Sequence, residues 1–282
     1  MTASGFDELA DLALRKAGHA FKLKQRYLLD ARLSEIMRRE NFTELSELAD
    51  CLRARPNPAF EDEVVSAMLN KQTRFFDDRQ VLKSIVYDVL PAIAKSQDEQ
   101  GASAPMKVWC AGGGSGQEAY SLAILIDEAG GDEFLGRPIE IGSTDICKRT
   151  TDRAISGIYD HYEIQLGLSA ARMLQYFDKN DDGWRAKPAL SERVNFETRN
   201  LLEPFDSYDQ FDVILCRNVL GDFLSPIAND ILGKLASVLI SNGVLILGKD
   251  ENLPLDSPFR RSETISGGWR HNPRSNGAAA VA

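Results

Sequence analysis

Residues 108–123 read Val-Trp-Cys-Ala-Gly-Gly-Gly-Ser-Gly-Gln-Glu-Ala-Tyr-Ser-Leu-Ala, and this segment constrains the fold more than any other. A short apolar strand runs into a glycine-rich turn and then into a helical pattern, the arrangement in which bare backbone lets a nucleotide-like ligand approach the edge of a sheet. The same rhythm continues downstream, where apolar segments at 139–143, 194–198, 211–216 and 243–248 are separated by helical stretches. That alternation predicts an α/β fold with a parallel, Rossmann-like sheet, and residues 259–272 predict an added antiparallel strand pair. The longer piece at 157–193 carries the turn Asn180-Asp181-Asp182-Gly183 and predicts a helix followed by a small β subdomain insertion.

The second strand supplies what the turn lacks by itself. It ends in Asp145, about 30 residues beyond the glycines, where an acid accepts hydrogen bonds from ribose hydroxyls. No lysine follows the glycines, and Glu118 at the start of the helix would repel a pyrophosphate. A ligand with adenine and ribose but no phosphates points to S-adenosylmethionine, bound across Gly112, Gly114 and Asp145. The alternative is a purely structural turn with Asp145 capping a helix. Asn200 and Leu201 follow the third strand and Asn218 and Val219 the fourth, at the same carboxyl edge of the sheet.

Upstream, the pattern is helical and the charge unusual. Apolar residues recur at helical spacing (Phe6, Leu9, Leu12, Ala13; Tyr27, Leu28, Leu33, Ile36, Met37; Leu45, Leu48, Leu52), helices are expected over 61–69 and 78–94, and 96–105 reads as a connector. Residues 1–70 therefore form a small all-helical N-terminal domain and residues 71–272 the ligand-binding domain, with 273–282 a disordered tail. The chain has a net charge of −9, yet residues 15–40 carry eight Lys/Arg against three Asp/Glu. Overall acidity argues against nucleic-acid binding, while the basic stretch, with Lys22, Arg26, Arg32 and Arg39 as candidate docking residues, suits an acidic protein surface as well as a solvated helix face. Cys51, Cys110, Cys147 and Cys216 contain no Cys-x-x-Cys pair, so free thiols are expected rather than disulfides or a metal site. Acids near the N-terminus, and the absence of any apolar run near the roughly 18 residues a membrane helix needs, predict a cytoplasmic protein.

Taken in order, Thr73-Arg74-Phe75-Phe76, Trp109-Cys110-Ala111-Gly112, Ser115 to Ser121, Thr144-Asp145-Ile146, Gly157-Ile158-Tyr159, Asn200-Leu201-Leu202, the run from Phe211 to Val219, and Gly243 to Gly248 resemble the CheR-type chemotaxis receptor methyltransferases over nearly the whole chain. The resemblance implies a protein-glutamate O-methyltransferase that uses S-adenosylmethionine, releases S-adenosylhomocysteine and acts on the cytoplasmic helical bundle of a receptor, as a monomer. It further implies that Thr73, Glu118, Asp145, Asn200, Leu201, Asn218 and Val219 contact the cofactor. In some members the β subdomain docks a receptor-tail peptide.

The departures from the family pattern cluster near the reacting centre. Where the family has Arg after Thr-x-Phe-Phe this chain has Asp77, and where it has Tyr-Phe this chain has Asp222-Phe223; Lys71 replaces an Asn, and Gly248-Lys249-Asp250-Glu251 replaces Gly-His-Ser-Glu. Displacement at a sulfonium by an ionised glutamate needs positioning and loss of water rather than a base. An anion about 4 Å from that glutamate nevertheless costs on the order of 1 to 4 kcal/mol. Lys71, Arg74 and Lys249 are candidates to offset it. Two other readings stay open, a catalytically impaired regulator that binds cofactor, and a methyltransferase with a different acceptor.

Overall fold

A computed structural model describes residues 5–69 and 73–272. Lys71 and the tail at 273–282 lie outside the described residues. Four helices come first: α1 (Gly5–Ala17), α2 (Arg26–Arg39), α3 (Leu45–Ala54) and α4 (Pro58–Leu69). Their shared core includes Phe6, Leu9, Leu33, Leu48, Val64 and Met68. On α2 the inward residues are Leu29, Leu33 and Ile36, spaced four and three apart so that they stack on one face. The sequence placed Tyr27 and Leu28 on that face; Tyr27 instead points outward, 67% exposed.

Next come α5 (Arg79–Ser84), a π-turn at Ile85–Val89 and α6 (Leu90–Asp98), one continuous helical run that reaches into the expected connector. Gln97 explains the extension. Its amide accepts from Arg137 Nη1 at 2.9 Å and donates to Asp212 at 2.6 Å, tying the helix end to the sheet.

The main sheet contains β1 (Met106–Ala111), β2 (Ile139–Asp145), β6 (Val194–Thr198), β7 (Phe211–Cys216), β8 (Leu239–Leu247), β9 (Phe259–Arg261) and β10 (Gly268–His271). Its order is β6-β2-β1-β7-β8-β10-β9, with β10 antiparallel to both neighbours and the other pairings parallel. The expected strand pair is there, and β10 inserts between β8 and β9. Helices α7 (Gln117–Glu128) and α8 (Lys148–Ser156) follow β1 and β2. The insertion is a separate three-stranded sheet, ordered β3-β5-β4, of β3 (Ile158–Tyr159), β4 (Phe177–Asn180) and β5 (Gly183–Ala186). It carries α9 (His161–Gln165) and α10 (Ala170–Tyr176); α11 (Pro188–Ser191) and α12 (Ser225–Val238) complete the helices. Asn180 pairs with Gly183, leaving a two-residue hairpin loop.

Strand order reverses between β1 and β7, and ligand crevices of open α/β sheets form at such a point. The N-terminal helices cover that edge: Ala20 N donates to the Asp222 carbonyl and Asn200 Nδ2 to the Lys16 carbonyl, both at 2.9 Å.

Candidate active site

A cavity of about 240 Å³ lies at the reversal, walled by the β1, β2 and β7 ends and by Ala17 and His19 of the N-terminal module. Thr73, Gly112, Gly114, Glu118, Asp145, Asn200, Leu201, Asn218 and Val219, distant in sequence, all line it, as do Asp77 and Asp222. Lys249 is exposed and is not part of the wall; Arg74 is.

The floor is backbone. Gly112 and Gly114 have φ of +74° and +58°, and a Cβ on either would come within 2.7 Å of Val219 Cγ2 or Thr73 Cγ2 respectively. Only glycine gives this surface without strain. Asp145 closes it: Oδ2 accepts from Gly114 N at 3.0 Å and Oδ1 from Cys147 N at 2.9 Å, which fixes the carboxylate at the cavity wall. Asp145 is not the cap of α8, as the structural alternative had it; Cys147 is, its sulfur accepting from Thr150 N at 3.4 Å. From behind, the β subdomain buttresses the turn, Tyr159 Oη donating to the Ser115 carbonyl at 2.6 Å. These features fit an adenosyl group: a bare cradle and a carboxylate for ribose.

Arg217, one residue past β7, organises the other end. Its side chain is 5% exposed and its Nη1 donates to Glu118 Oε2 at 2.5 Å and to the Asp77 carbonyl at 3.2 Å. Nη2 lies 3.5 Å from Asp77 Oδ2 and 3.9 Å from Asp78 Oδ2. One cation thus stands among three carboxylates. Burial pushes the Glu118 carboxyl above its ordinary range against the pull of Arg217, with Asp77 adding to the rise. Burial also opposes the charge on Arg217, but Glu118, Asp77 and Asp78 outweigh it and strengthen its hold on the proton.

Sequence reasoning named Lys71, Arg74 and Lys249 as possible offsets for Asp77 and overlooked Arg217, which stood inside a quoted motif. The available signal was an arginine at the end of a buried strand, a position that requires an acidic partner. Asp222 likewise is not isolated, since its field opposes the loss of charge that burial imposes on Arg32. Two further residues were missed. Glu251 accepts from Asn218 N (2.7 Å), Gly248 N (2.8 Å) and Gly221 N (3.3 Å), fixing the loop of Asn218 and Val219. Lys234, a lone cation near the apolar face of α12, donates to the Leu201, Leu202 and Glu203 carbonyls at 2.7, 3.0 and 3.3 Å. The Asn200 amide donates to the Lys16 carbonyl and accepts from Leu202 N, and the residue lines the cavity.

The four docking candidates separate. Lys22 and Arg26 are exposed beside Leu23 and Tyr27, which are 69% and 67% exposed. Arg32 is half-buried, bonded to the Met68 carbonyl at 2.5 Å. Arg39 is bidentate to Glu63 at 2.6 and 3.0 Å and also bonds Glu40, so its charge is matched within the chain.

Sheet order, glycine cradle and strand-end acid define a nucleoside-binding methyltransferase architecture. Residues 71–266 match the family described as CheR methyltransferase, SAM binding domain, and residues 4–69 the CheR methyltransferase, all-alpha domain. The chain belongs to the CheR methyltransferase family, and its cofactor is S-adenosylmethionine. It is 33% identical over 232 residues to chemotaxis protein methyltransferase Cher2 of Pseudomonas putida (81% of this chain, 83% of the relative). It is also 33% identical over 262 residues to chemotaxis protein methyltransferase 1 of Pseudomonas aeruginosa (90% and 94%).

Proposed function

We propose that this protein transfers a methyl group from S-adenosylmethionine to glutamate side chains on the cytoplasmic helical bundle of a chemotaxis receptor. The observation that carries the reading is the cavity itself. Asp145 ends β2 and Arg217 lies just past β7, on either side of β1, and two strand spacings amount to about 9–10 Å. That span suits an adenosyl group at one end and a carboxylate-binding cation at the other. The bound cofactor supplies a methyl already activated on a sulfonium. Gly112, Gly114, Asp145, Leu201 and Val219 hold the adenosyl part, and Thr73, Glu118 and Asn218 the aminoacyl part. Arg217 supplies the positive charge that a substrate anion requires beside Asp77.

Docking falls to the exposed edge of Lys22, Lys24 and Arg26 with Leu23 and Tyr27, a basic and apolar surface suited to an acidic helical bundle. Four free cysteines suit the reducing cytoplasm, where such a bundle lies. The regulator reading loses part of its motive because Asp77 faces a cation rather than an empty site. The test is tritiated-methyl transfer to membranes carrying the receptors, with calorimetry of S-adenosylhomocysteine on the same preparation. Base-labile methyl esters on receptor glutamates are expected; cofactor binding without any transfer would favour the regulator.

A further inference from the structure

The two terminal nitrogens of Arg217 are unequally occupied, and the difference gives Asp77 a role. Nη1 is saturated by Glu118 and the Asp77 carbonyl. Nη2 has Asp77 Oδ2 at 3.5 Å and Asp78 Oδ2 at 3.9 Å, both longer than the roughly 2.7–2.9 Å of a good charge-assisted hydrogen bond. Nε is buried with no partner among the described residues. A guanidinium offers five donors in a fixed fork matched to a carboxylate, so this one retains room for a better-placed acid. Of its close counterions, Glu118 is 16% exposed and Asp77 53%. Glu118 is therefore the fixed partner and Asp77 the one able to leave.

We propose that the Asp77 carboxylate occupies, on Nη2 of Arg217, the place the acceptor glutamate takes in the productive complex. Arg217 is then the acceptor-recognition residue, and Asp77 an internal competitor that sets acceptor affinity. The inference rests on the glutamate reading above. The exchange asks little of the backbone, because Phe76 N is anchored on Ser121 Oγ at 2.8 Å and the Asp77 carbonyl on Arg217; only the side chain must swing into solvent. Asp78, farther from Nη2, is the lesser competitor. Once the acceptor is seated, one carboxylate oxygen bonds to the methyl carbon as the carbon–sulfur bond breaks and its electron pair stays on sulfur. No proton moves, since a glutamate is ionised at neutral pH.

Asp77→Asn removes the competing charge and keeps the shape. Initial rates of tritiated-methyl transfer to purified cytoplasmic fragments of the source organism's chemoreceptors give the acceptor KM directly. The variant is expected to lower it about three- to tenfold, the worth of a partly exposed ion pair, with S-adenosylhomocysteine affinity unchanged within about twofold. Asp78→Asn lowers it less. Arg217→Lys, which keeps the charge and loses the fork, raises it by roughly tenfold or more. An unchanged or raised acceptor KM in Asp77→Asn, with melting temperature and cofactor binding intact, overturns the proposal; Asp77→Ser is read by the same criterion if the Asn variant folds poorly. Transfer by wild type with no KM response defeats this inference alone. If no form transfers methyl while all bind cofactor, the glutamate reading fails and the inference with it.

Discussion

The two ends of the cavity are built from different materials. The end at Asp145 is backbone: two left-handed glycines, amide groups held by one carboxylate, and a tyrosine bracing the turn from behind. The end at Arg217 is side chains, a cation balanced among Glu118, Asp77 and Asp78. A backbone surface tolerates almost no substitution, because each change meets a φ angle or a neighbouring atom. A side-chain cluster can exchange one member for another if charge is rebalanced, and Asp77 stands at the end where such exchange is possible.

The comparison breaks most directly at Gly114. Gly114→Val puts a β-branched residue at φ +58° with its Cβ 2.7 Å from Thr73 Cγ2; backbone strain of about 1–3 kcal/mol plus the clash is expected to weaken S-adenosylhomocysteine binding roughly 100-fold or more by calorimetry. Asp78→Asn, at the side-chain end, should leave that affinity within a few-fold. Comparable losses from both would mean that the two ends are not built differently.

Asp145→Ala comes next. It removes the acceptor for ribose and the clamp on Gly114 N and Cys147 N together, so a loss of about 1.5–3 kcal/mol, roughly 10- to 150-fold in affinity, is expected. Unchanged affinity in a folded variant would remove Asp145 from the site.

Glu118 sharpens the contrast through pH. Burial raises its proton affinity above that of an ordinary glutamate. If its anion receives the cofactor's ammonium group, affinity should fall as pH drops, starting at a higher pH than an ordinary carboxylate would give. Folding responds with the opposite sign. A carboxylate whose folded pKa is raised costs stability when ionised, a cost absent below the unfolded pKa and fully present above the folded one. This group's contribution to stability therefore improves as pH falls through that window while cofactor affinity declines. Glu118→Gln should bind more weakly at neutral pH and lose the pH dependence; calorimetry across the pH range, with melts alongside, separates the two effects.

What the sequence disclosed follows the same division. The strand, glycine turn and strand-end acid were legible because their chemistry is local: glycines reveal a left-handed path, and Asp145 ends an apolar run. The order of the seven strands and the meeting of Thr73 with Ser115 at 3.1 Å were not legible, since they depend on long-range packing. Arg217 could be read as part of a motif but not as the partner of Asp77, which is 140 residues away. The outward turn of Tyr27 was hidden because Tyr27, Leu28 and Leu29 fan around the helix about 100° apart, and packing selects Leu29 for the inward stripe with Leu33 and Ile36.

The smallest expected effect lies outside the cavity, on the edge that presents Lys22 and Arg26. Both are exposed, whereas Arg39 is paired with Glu63 and Glu40 strongly enough to raise its proton affinity. Sequence proximity alone treats these as equivalent docking charges. Lys22→Glu and Arg26→Glu should each raise the acceptor KM by about threefold, as rim charges of a protein interface do, with an effect that shrinks as salt rises. Arg39→Glu should leave the acceptor KM nearly unchanged and instead lower the melting temperature, because it sets a third acid beside Glu63 and Glu40. Transfer kinetics at two salt concentrations decide the matter: an Arg39 effect equal to that of Lys22 and Arg26 would mean that the whole basic stretch docks, not its first turn alone.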